Sequence, residues 1–146
     1  MPELILVDTQ DGVATLTLNR PKRRNALSPE LLQALIDGLI TIKRDKDARV
    51  VVITGAGDKA FCAGGDLGSQ VGSGLLELHN NRRNFSDLFE TMFQLGKPII
   101  SRIQGACLGG GLGLMLASDL AVASDNATFG TPEIKVRLFP MMIMTL

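Results

Sequence analysis

The sequence predicts a single domain of the α/β class that spans residues 1–146. Segments with helical periodicity alternate with short runs of β-branched residues, and this alternation is typical of α/β proteins. Residues 50–54 read VVVIT, a continuous β-branched run that indicates a strand covered on both faces. Because 45% of the 146 residues are hydrophobic, the chain can bury one sizeable core.

A β-hairpin and a helix are predicted for the first third of the chain. Residues 4–8 and 13–18 are rich in β-formers and flank Asp11-Gly12, a typical hairpin turn. Ser28 and Pro29 are typical of a helix N-cap and of its first helical position. From there, apolar residues recur at spacings of three and four up to about Arg44, which predicts one buried stripe.

A longer helix, two strands and a short helix are predicted for the rest of the chain. Residues 75–95 have helical periodicity, and Gly96-Lys97-Pro98 should end that helix. Residues 98–103 and Leu120–Ala123 are predicted to be buried strands. Between them, CLGGGLG at residues 107–113 opens a third helix.

Charge and cysteine content exclude several classes of partner. Lys plus Arg and Asp plus Glu number 15 each, so no net charge attracts the chain to nucleic acid or to a membrane surface. No apolar run is long enough to span a bilayer, and residues 1–10 lack the basic start of a signal peptide. Cys62 and Cys107 lack the spacing of a metal or redox motif, so we expect buried free thiols and a cytoplasmic protein.

The last residues, 138–146, are almost entirely apolar. Three interpretations are open. The segment is docked in the core, it belongs to a fragment whose missing segment would cover it, or a neighbouring subunit covers it.

Two glycine-rich stretches are the candidate functional segments. Each glycine inside a helix costs about 1 kcal/mol relative to alanine, so the glycines of residues 107–113 need a reason. Close packing is one reason, and presentation of free backbone N–H groups to a ligand oxygen is the other. A second stretch, FCAGGDL at residues 61–67, follows a strand and could supply another such donor. A pair of donors suits the oxygen of a thioester or ester enolate.

A third glycine pattern indicates a different ligand but is weaker. TGAGDKA at residues 54–60 matches the dinucleotide-binding fingerprint, with Glu77 as a possible ribose ligand. That fingerprint requires a helix to begin at these glycines. Gly64 and Gly65 would interrupt such a helix, so dinucleotide binding is the less favoured hypothesis.

Four motifs in order resemble one family. They are LNRPKRRNALS at residues 18–28, KAFCAGGDL at 59–67, QGACLGGGLGLMLASDLAVAS at 104–124 and FGTPEI at 129–134. Together they are similar to the enoyl-CoA hydratase/isomerase, or crotonase, superfamily. The resemblance implies a spiral of repeated ββα units, an acyl-CoA thioester substrate and an enolate intermediate. It also implies a homo-oligomer, either a trimer or a hexamer, with coenzyme A as part of the substrate, no separate cofactor and no metal.

Residue roles carry over from the resemblance position by position. The N–H groups of Gly65 and Gly110 are expected to form an oxyanion hole, and Glu133 is expected to be the acid/base. The residues expected to line the CoA and acyl groups are Arg24, Ala26, Ala63, Asp66, Leu67, Gly109 and Pro132. The basic run at residues 22–24 suits CoA phosphates, although such runs are usually solvated faces.

The sequence departs from the family pattern in three places. Hydratases of the family have a glutamate at the position of Gly113, and Arg137 stands where a glycine is common. A lone Glu133 can remove and return a proton but cannot hold a water together with a partner carboxylate. Isomerisation or one-base hydration is therefore predicted, with a non-catalytic acyl-CoA-binding or subunit-interaction fragment as the alternative. Family members are also longer, so we expect a helical C-terminal part to be missing.

Overall fold

The computed structural model describes residues 3–66, 75–136, 139–140, 143–144 and 146, and for residues 75–82 and 136 it describes the backbone alone. The described strands and helices follow in chain order: β1 Ile5–Gln10, β2 Val13–Leu18, α1 Pro29–Arg44, β3 Val50–Gly55, β4 Ala60–Cys62, α2 Leu75–Phe93, β5 Ile99–Ile103, β6 Ala106–Leu108, α3 Gly110–Leu116, β7 Leu120–Ala123 and β8 Thr128–Gly130. Two 3-10 turns, at Pro21–Arg23 and Pro132–Val136, complete the set.

The predicted hairpin and first helix are confirmed. Asp11 and Gly12 have φ values of 53° and 87°, the left-handed pair that a two-residue hairpin turn needs, and β1 pairs antiparallel with β2. The Ser28 hydroxyl accepts a hydrogen bond from the Leu31 N–H at 3.3 Å and so caps α1. The buried stripe of α1 consists of Leu31, Leu32, Leu35, Ile36, Gly38, Leu39 and Ile42.

Strands alternate between two sheets. The larger sheet has the order β1-β2-β3-β5-β7 and is parallel from β2 onwards, and the smaller sheet is β4-β6-β8, also parallel. Each successive unit gives its first strand to the larger sheet and its second strand to the smaller one. The units are β3-β4-α2, β5-β6-α3, and β7-β8 with the turn at Pro132–Val136. The expected α/β class with repeated ββα units is confirmed.

The second helix ends two residues earlier than the periodicity predicts. Leu88, Met92 and Leu95 are buried as expected, but α2 closes at Phe93. The Leu95 N–H donates to the Met92 carbonyl at 3.2 Å, and Gly96 then adopts a φ of 75°. This tightening of the last turn, followed by a left-handed glycine, is a common way for a helix to end.

The prediction that Leu120–Ala123 is buried is wrong. The segment does form β7, but all four of its residues are exposed, with Leu120 and Val122 each 63% accessible. The apolar composition of this segment correctly indicated a strand, which pairs with β5 along one edge. Burial also needs a layer across the sheet, and β7 has none within the part of the chain that is described.

Both cysteines are buried free thiols, as predicted. They are register partners on the neighbouring strands β4 and β6. Burial raises the pKa of Cys62 and of Cys107 to about 12. None of the helices in the described ranges has both the length and the hydropathy that a bilayer span requires.

Candidate active site

The two glycine stretches meet at the ends of neighbouring strands. The loop after β4 carries Gly64, and the segment after β6 carries Gly109 and Gly110. A Cβ on Gly64 would lie 3.0 Å from the Leu108 carbonyl oxygen and 3.4 Å from the Gly110 nitrogen. Gly64 also has a φ of 95°, so glycine satisfies both the close approach and the backbone conformation.

Two backbone N–H groups near this contact have no protein acceptor among the described residues. Gly65 forms a parallel bridge with Leu27, but the bonds of that bridge use the Gly64 carbonyl and the Asp66 N–H, at 2.8 and 2.9 Å. Gly110 is the first residue of α3, where N–H groups have no partner within the helix. Among the described residues, neither the Gly65 nor the Gly110 N–H donates to another protein group. Both are therefore available to a bound oxygen.

Glu133 places its carboxyl group against Gly109, one of these glycines. The turn at Pro132–Val136 follows β8, which is held to the glycine segment by a 3.0 Å hydrogen bond from Gly109 N–H to the Gly130 carbonyl. A Cβ on Gly109 would lie 2.8 Å from Glu133 Oε1. Glu133 Oε2 is buried and has no hydrogen-bond partner within the described ranges. A buried carboxylate oxygen without a protein partner is a candidate for a catalytic role or for contact with a ligand.

Asp66, next to Gly65, is held by two arginines. Its Oδ2 lies 2.9 Å from Arg20 Nη2 and its Oδ1 lies 2.9 Å from Arg23 Nη2. Asp66 is only 5% exposed. Burial raises the pKa of Asp66, but the hydrogen bonds from Arg20 and Arg23 outweigh burial and hold that pKa below its usual range. The carboxylate therefore stays ionised and anchors the loop.

Asn25 organises the segment that lies beside this loop. It is completely buried at a left-handed φ of 55°, and its side chain donates to the carbonyls of Ala56 and Ala60 at 3.0 and 2.9 Å. Its Oδ1 accepts from the Arg20 N–H. Sequence reasoning missed Asn25. Its position in the family-like NAL stretch was the available signal, because asparagine tolerates left-handed backbone.

Two predicted ligand-lining alanines lie on facing segments. The Ala63 N–H donates to the Arg24 carbonyl at 3.0 Å, and the Ala26 carbonyl accepts from Arg20 Nη1 at 2.6 Å. Both alanines are half-buried. Arg20 was not predicted as part of the site, and Arg23 was considered only within the basic run at residues 22–24 that suits CoA phosphates. No local pattern reveals that both arginines pair with Asp66, because Asp66 lies more than 40 residues away.

A basic cleft lies on the other side of the same segment. It encloses about 270 Å³. It is lined by Pro21, Lys22, Arg24, Asn25, Ala56, Gly57, Asp58, Lys59 and Ala60. The predicted basic cluster at residues 22–24 is therefore divided, because Lys22 and Arg24 line the cleft while Arg23 binds Asp66.

Apolar side chains lie against Gly110 and Gly113 of α3. A Cβ on Gly113 would lie 2.8 Å from both Phe89 Cζ and Ile143 Cγ2. A Cβ on Gly110 would lie 3.0 Å from the Phe85 ring and 3.1 Å from Leu27 Cδ1. No side chain can be added at either position without displacing these neighbours.

Two further residues, Pro132 and Leu67, were predicted to line the ligand. Pro132 is half-buried at the start of its 3-10 turn, whereas Leu67 lies outside the described residues. Across the described side chains, no cluster of three or more His, Cys, Asp or Glu residues could hold a metal ion.

Comparison with known proteins finds one family model and a similar enzyme that match most of the chain. The family model described as enoyl-CoA hydratase/isomerase matches residues 8–146. The chain is similar to hydroxycinnamoyl-CoA hydratase-lyase from Pseudomonas fluorescens, with 39% identity over 135 residues, which are 89% of this chain and 49% of that protein.

Solved structures give the same result for the fold. An enoyl-CoA hydratase from Bacillus anthracis has a TM-score of 0.90 at 37% identity, covering 94% of this chain and 54% of its own. An enoyl-CoA hydratase from Shewanella pealeana has a TM-score of 0.91 at 28% identity, covering 98% and 55%. The chain thus spans about half the length of these relatives. Because the family model matches nearly all of its residues, the chain belongs to the enoyl-CoA hydratase/isomerase family.

Proposed function

We propose that this protein processes acyl-CoA thioesters through an enolate. The observation that carries the proposal is the place of Glu133: its Oε1 would lie 2.8 Å from a Cβ on Gly109, and its Oε2 is buried without a partner among the described residues. Gly110 follows Gly109 directly, and Gly65 lies in the loop after the neighbouring strand β4; within the described ranges neither N–H has a protein acceptor. Donors fixed in advance around a developing negative oxygen supply one of the largest contributions to catalysis in acyl chemistry. A carboxylate beside these donors can remove a proton from the substrate, and loss of that proton creates the negative charge on the oxygen.

The chemistry assigns one step to each group. Glu133 removes a proton from the carbon next to the thioester carbonyl. The electron pair of that C–H bond forms a double bond to the carbonyl carbon, and the π pair of the carbonyl moves onto the oxygen. The Gly65 and Gly110 N–H groups stabilise the resulting enolate. Glu133 then returns the proton two carbons further along the chain, so a 3-enoyl thioester becomes a 2-enoyl thioester with no net change in atoms.

The surroundings of Gly113 favour a reaction with one carboxylate. Phe89 and Ile143 fill the space where a side chain at position 113 would begin. The resemblance places the family's other glutamate at this position. The apolar groups around position 113 offer no polar partner that could help Glu133 to hold and activate a water. The proposed reaction is therefore isomerisation, or a hydration that uses Glu133 alone.

The CoA portion of the substrate is proposed to bind near residues 20–27. Lys22, Arg24 and Lys59 bring three positive charges to one cleft, against one negative charge from Asp58. The remaining positive charge suits the phosphate groups of CoA. CoA is part of the substrate in this proposal, so no separate cofactor is needed. Direct contacts of Ala26, Ala63, Asp66, Leu67, Gly109 and Pro132 with the ligand remain predictions.

The experiment that tests the proposal is turnover in heavy water, followed by mass spectrometry. The substrates are 2-enoyl- and 3-enoyl-CoA esters, including cinnamoyl-CoA because a relative is named for a hydroxycinnamoyl thioester. Deuterium incorporation with migration of the double bond and no added oxygen identifies an isomerase, and gain of one water identifies a hydratase. Glu133→Gln should abolish either reaction. Unchanged turnover in this variant rules out the assigned role of Glu133.

A second candidate function is acyl-CoA binding or subunit interaction without turnover. It is favoured by a set of exposed apolar side chains late in the chain: Leu116, Leu120, Val122, Phe129, Ile134 and Phe139. Exposed apolar surface of this density is typical of interfaces. Sedimentation with and without an acyl-CoA distinguishes the cases. Assembly or binding without turnover supports this candidate, and a trimer or hexamer that turns over substrate supports the first proposal.

A further inference from the structure

The Asp66 carboxylate is enclosed by two guanidinium groups from the segment beside it. Each carboxylate oxygen has its own arginine at 2.9 Å, Oδ2 with Arg20 and Oδ1 with Arg23. Arg20 is the more buried of the two, since its side chain is 20% exposed and that of Arg23 is 58% exposed. If this buried carboxylate turned away from the two arginines, both ion pairs would break in a largely desolvated environment, which is strongly unfavourable. Asp66 is therefore held in one orientation.

Gly65, the residue before Asp66, cannot fix its own orientation. It has no side chain to pack, and its backbone is free to adopt many conformations. The peptide groups on both sides are fixed instead. The Leu27 N–H binds the Gly64 carbonyl at 2.8 Å, and the Asp66 N–H binds the Leu27 carbonyl at 2.9 Å. The ion pairs of Asp66 add a third restraint at the same point.

Arg20 ties both segments together. Its Nη1 donates to the Ala26 carbonyl at 2.6 Å, while its Nη2 binds Asp66. One planar guanidinium thus sets the spacing between the segment that carries Leu27 and the loop that carries Gly65. Arginine is suited to this because its donors have a fixed geometry.

We propose that Arg20 and Arg23 are positioning residues that, acting through Asp66, aim the Gly65 N–H at the reacting thioester oxygen. The inference rests on the proposed function. It states that Arg20, Arg23 and Asp66 contribute to stabilisation of the transition state and not to binding of the CoA portion. The competing assignment is that the arginines bind CoA phosphates. Substitutions would then weaken substrate binding and leave the rate at saturation unchanged.

The test compares Asp66→Asn, Arg23→Gln and Arg23→Lys with the parent chain. Asp87→Asn is the matched control, because Asp87 forms an exposed pair with Arg83 on α2, at 3.9 Å. Two quantities are measured: kcat and KM with the substrate that the parent chain turns over, and the infrared stretch of the thioester carbonyl in bound but-2-enoyl-CoA labelled with carbon-13. The carbonyl stretch falls in frequency when hydrogen bonds polarise the bond, so it reports the donor itself.

Positioning predicts a loss in kcat with little change in KM. Removal of a whole oxyanion donor costs about 100- to 1,000-fold in kcat, so misorientation in Asp66→Asn should cost roughly 10- to 100-fold. The bound carbonyl stretch should return most of the way toward its value in free substrate. Arg23→Gln should show a smaller effect of the same kind, with recovery in Arg23→Lys. Because Arg23 is more than half exposed, Arg23→Gln remains informative if Asp66→Asn does not fold.

Three results overturn the inference. A normal kcat and carbonyl stretch in folded Asp66→Asn and Arg23→Gln, with KM alone raised, assigns the network to binding. A parent chain that binds but-2-enoyl-CoA without shifting its carbonyl stretch refutes the oxyanion hole, and with it both the proposed function and this inference. A shift in the parent chain that persists in the variants refutes the positioning role alone.

Discussion

Replacement of Gly109 by alanine should disable the site while leaving the fold intact. Gly109 has a φ of 51°, and a Cβ there would lie 2.8 Å from Glu133 Oε1. Non-bonded atoms prefer about 3.5 Å or more, so the carboxylate has to withdraw by roughly 0.7 Å. Misplacement of a catalytic group by about 1 Å can cost 100-fold in rate, and we expect kcat to fall by about 10- to 100-fold.

The matched control is Gly96→Ala. Gly96 also has a left-handed φ, of 75°, but a Cβ there would have no neighbour within 4 Å. Gly96→Ala should lose about 1–2 kcal/mol of unfolding free energy, the usual cost of placing a side chain in left-handed backbone. Gly109→Ala should lose at least as much, because the ψ of −116° at Gly109 lies outside the left-handed helical well. Only Gly109→Ala should also lose activity, since only there does the new methyl group meet Glu133.

The assay combines urea unfolding with the rate of deuterium incorporation into an enoyl-CoA. The unfolding curves show whether each variant is fully folded under the assay conditions, so a difference in rate between two folded variants is not explained by stability. Deuterium incorporation should be close to that of the parent chain in Gly96→Ala and much slower in Gly109→Ala. Equal rates in the two variants would refute the placement of Glu133 in the reaction.

Three further predictions concern thiols, acid and packing. At pH 8, Cys62 and Cys107 should not react with a thiol reagent until the chain is unfolded, because burial raises their pKa to about 12; rapid reaction in the folded state would contradict this. The folded-state pKa of Asp66 is lowered, so its stabilisation is complete above about pH 4 and declines as the pH falls through that lowered value. The difference in unfolding free energy between the parent chain and Asp66→Asn should therefore shrink in acid, and a constant difference would be inconsistent with the ion pairs. Leu35→Ala should cost about 2–5 kcal/mol of stability and Ile40→Ala much less, measured by urea unfolding, because Leu35 is buried and Ile40 is 36% exposed on the same helix.

Local chemistry made much of the fold predictable. Asp11-Gly12 specifies its hairpin turn and Ser28-Pro29 specifies the start of α1, since each depends on a few adjacent residues. The strands of the smaller sheet were harder to predict. Each is three residues long, too short to show a period of its own, and their pairing joins segments some 20 to 45 residues apart.

Motif chemistry located the candidate site, but its supporting residues escaped prediction. The glycines at 64–65 and 109–110 stand out because glycine is costly where it is not needed. Asp66 was expected to line the ligand, yet its two described ion pairs are with Arg20 and Arg23. Long-range ion pairs leave no trace in local sequence. The exposure of β7 was also hidden, because strand composition shows how a segment pairs and not whether another layer covers it.

The smaller sheet determines how the candidate site responds to changes elsewhere in the chain. Gly65, Gly110 and Glu133 each follow one of its strands, β4, β6 and β8 in turn. Neighbouring strands are separated by about 4.8 Å whatever side chains they carry. Backbone pairing therefore fixes the distances between the three groups. Insertions in the loops that join α2 to β5 or α3 to β7 should leave these spacings unchanged. Deletion of one residue between a strand of this sheet and its functional group would displace that group by about 3.3 Å, more than a hydrogen bond can tolerate.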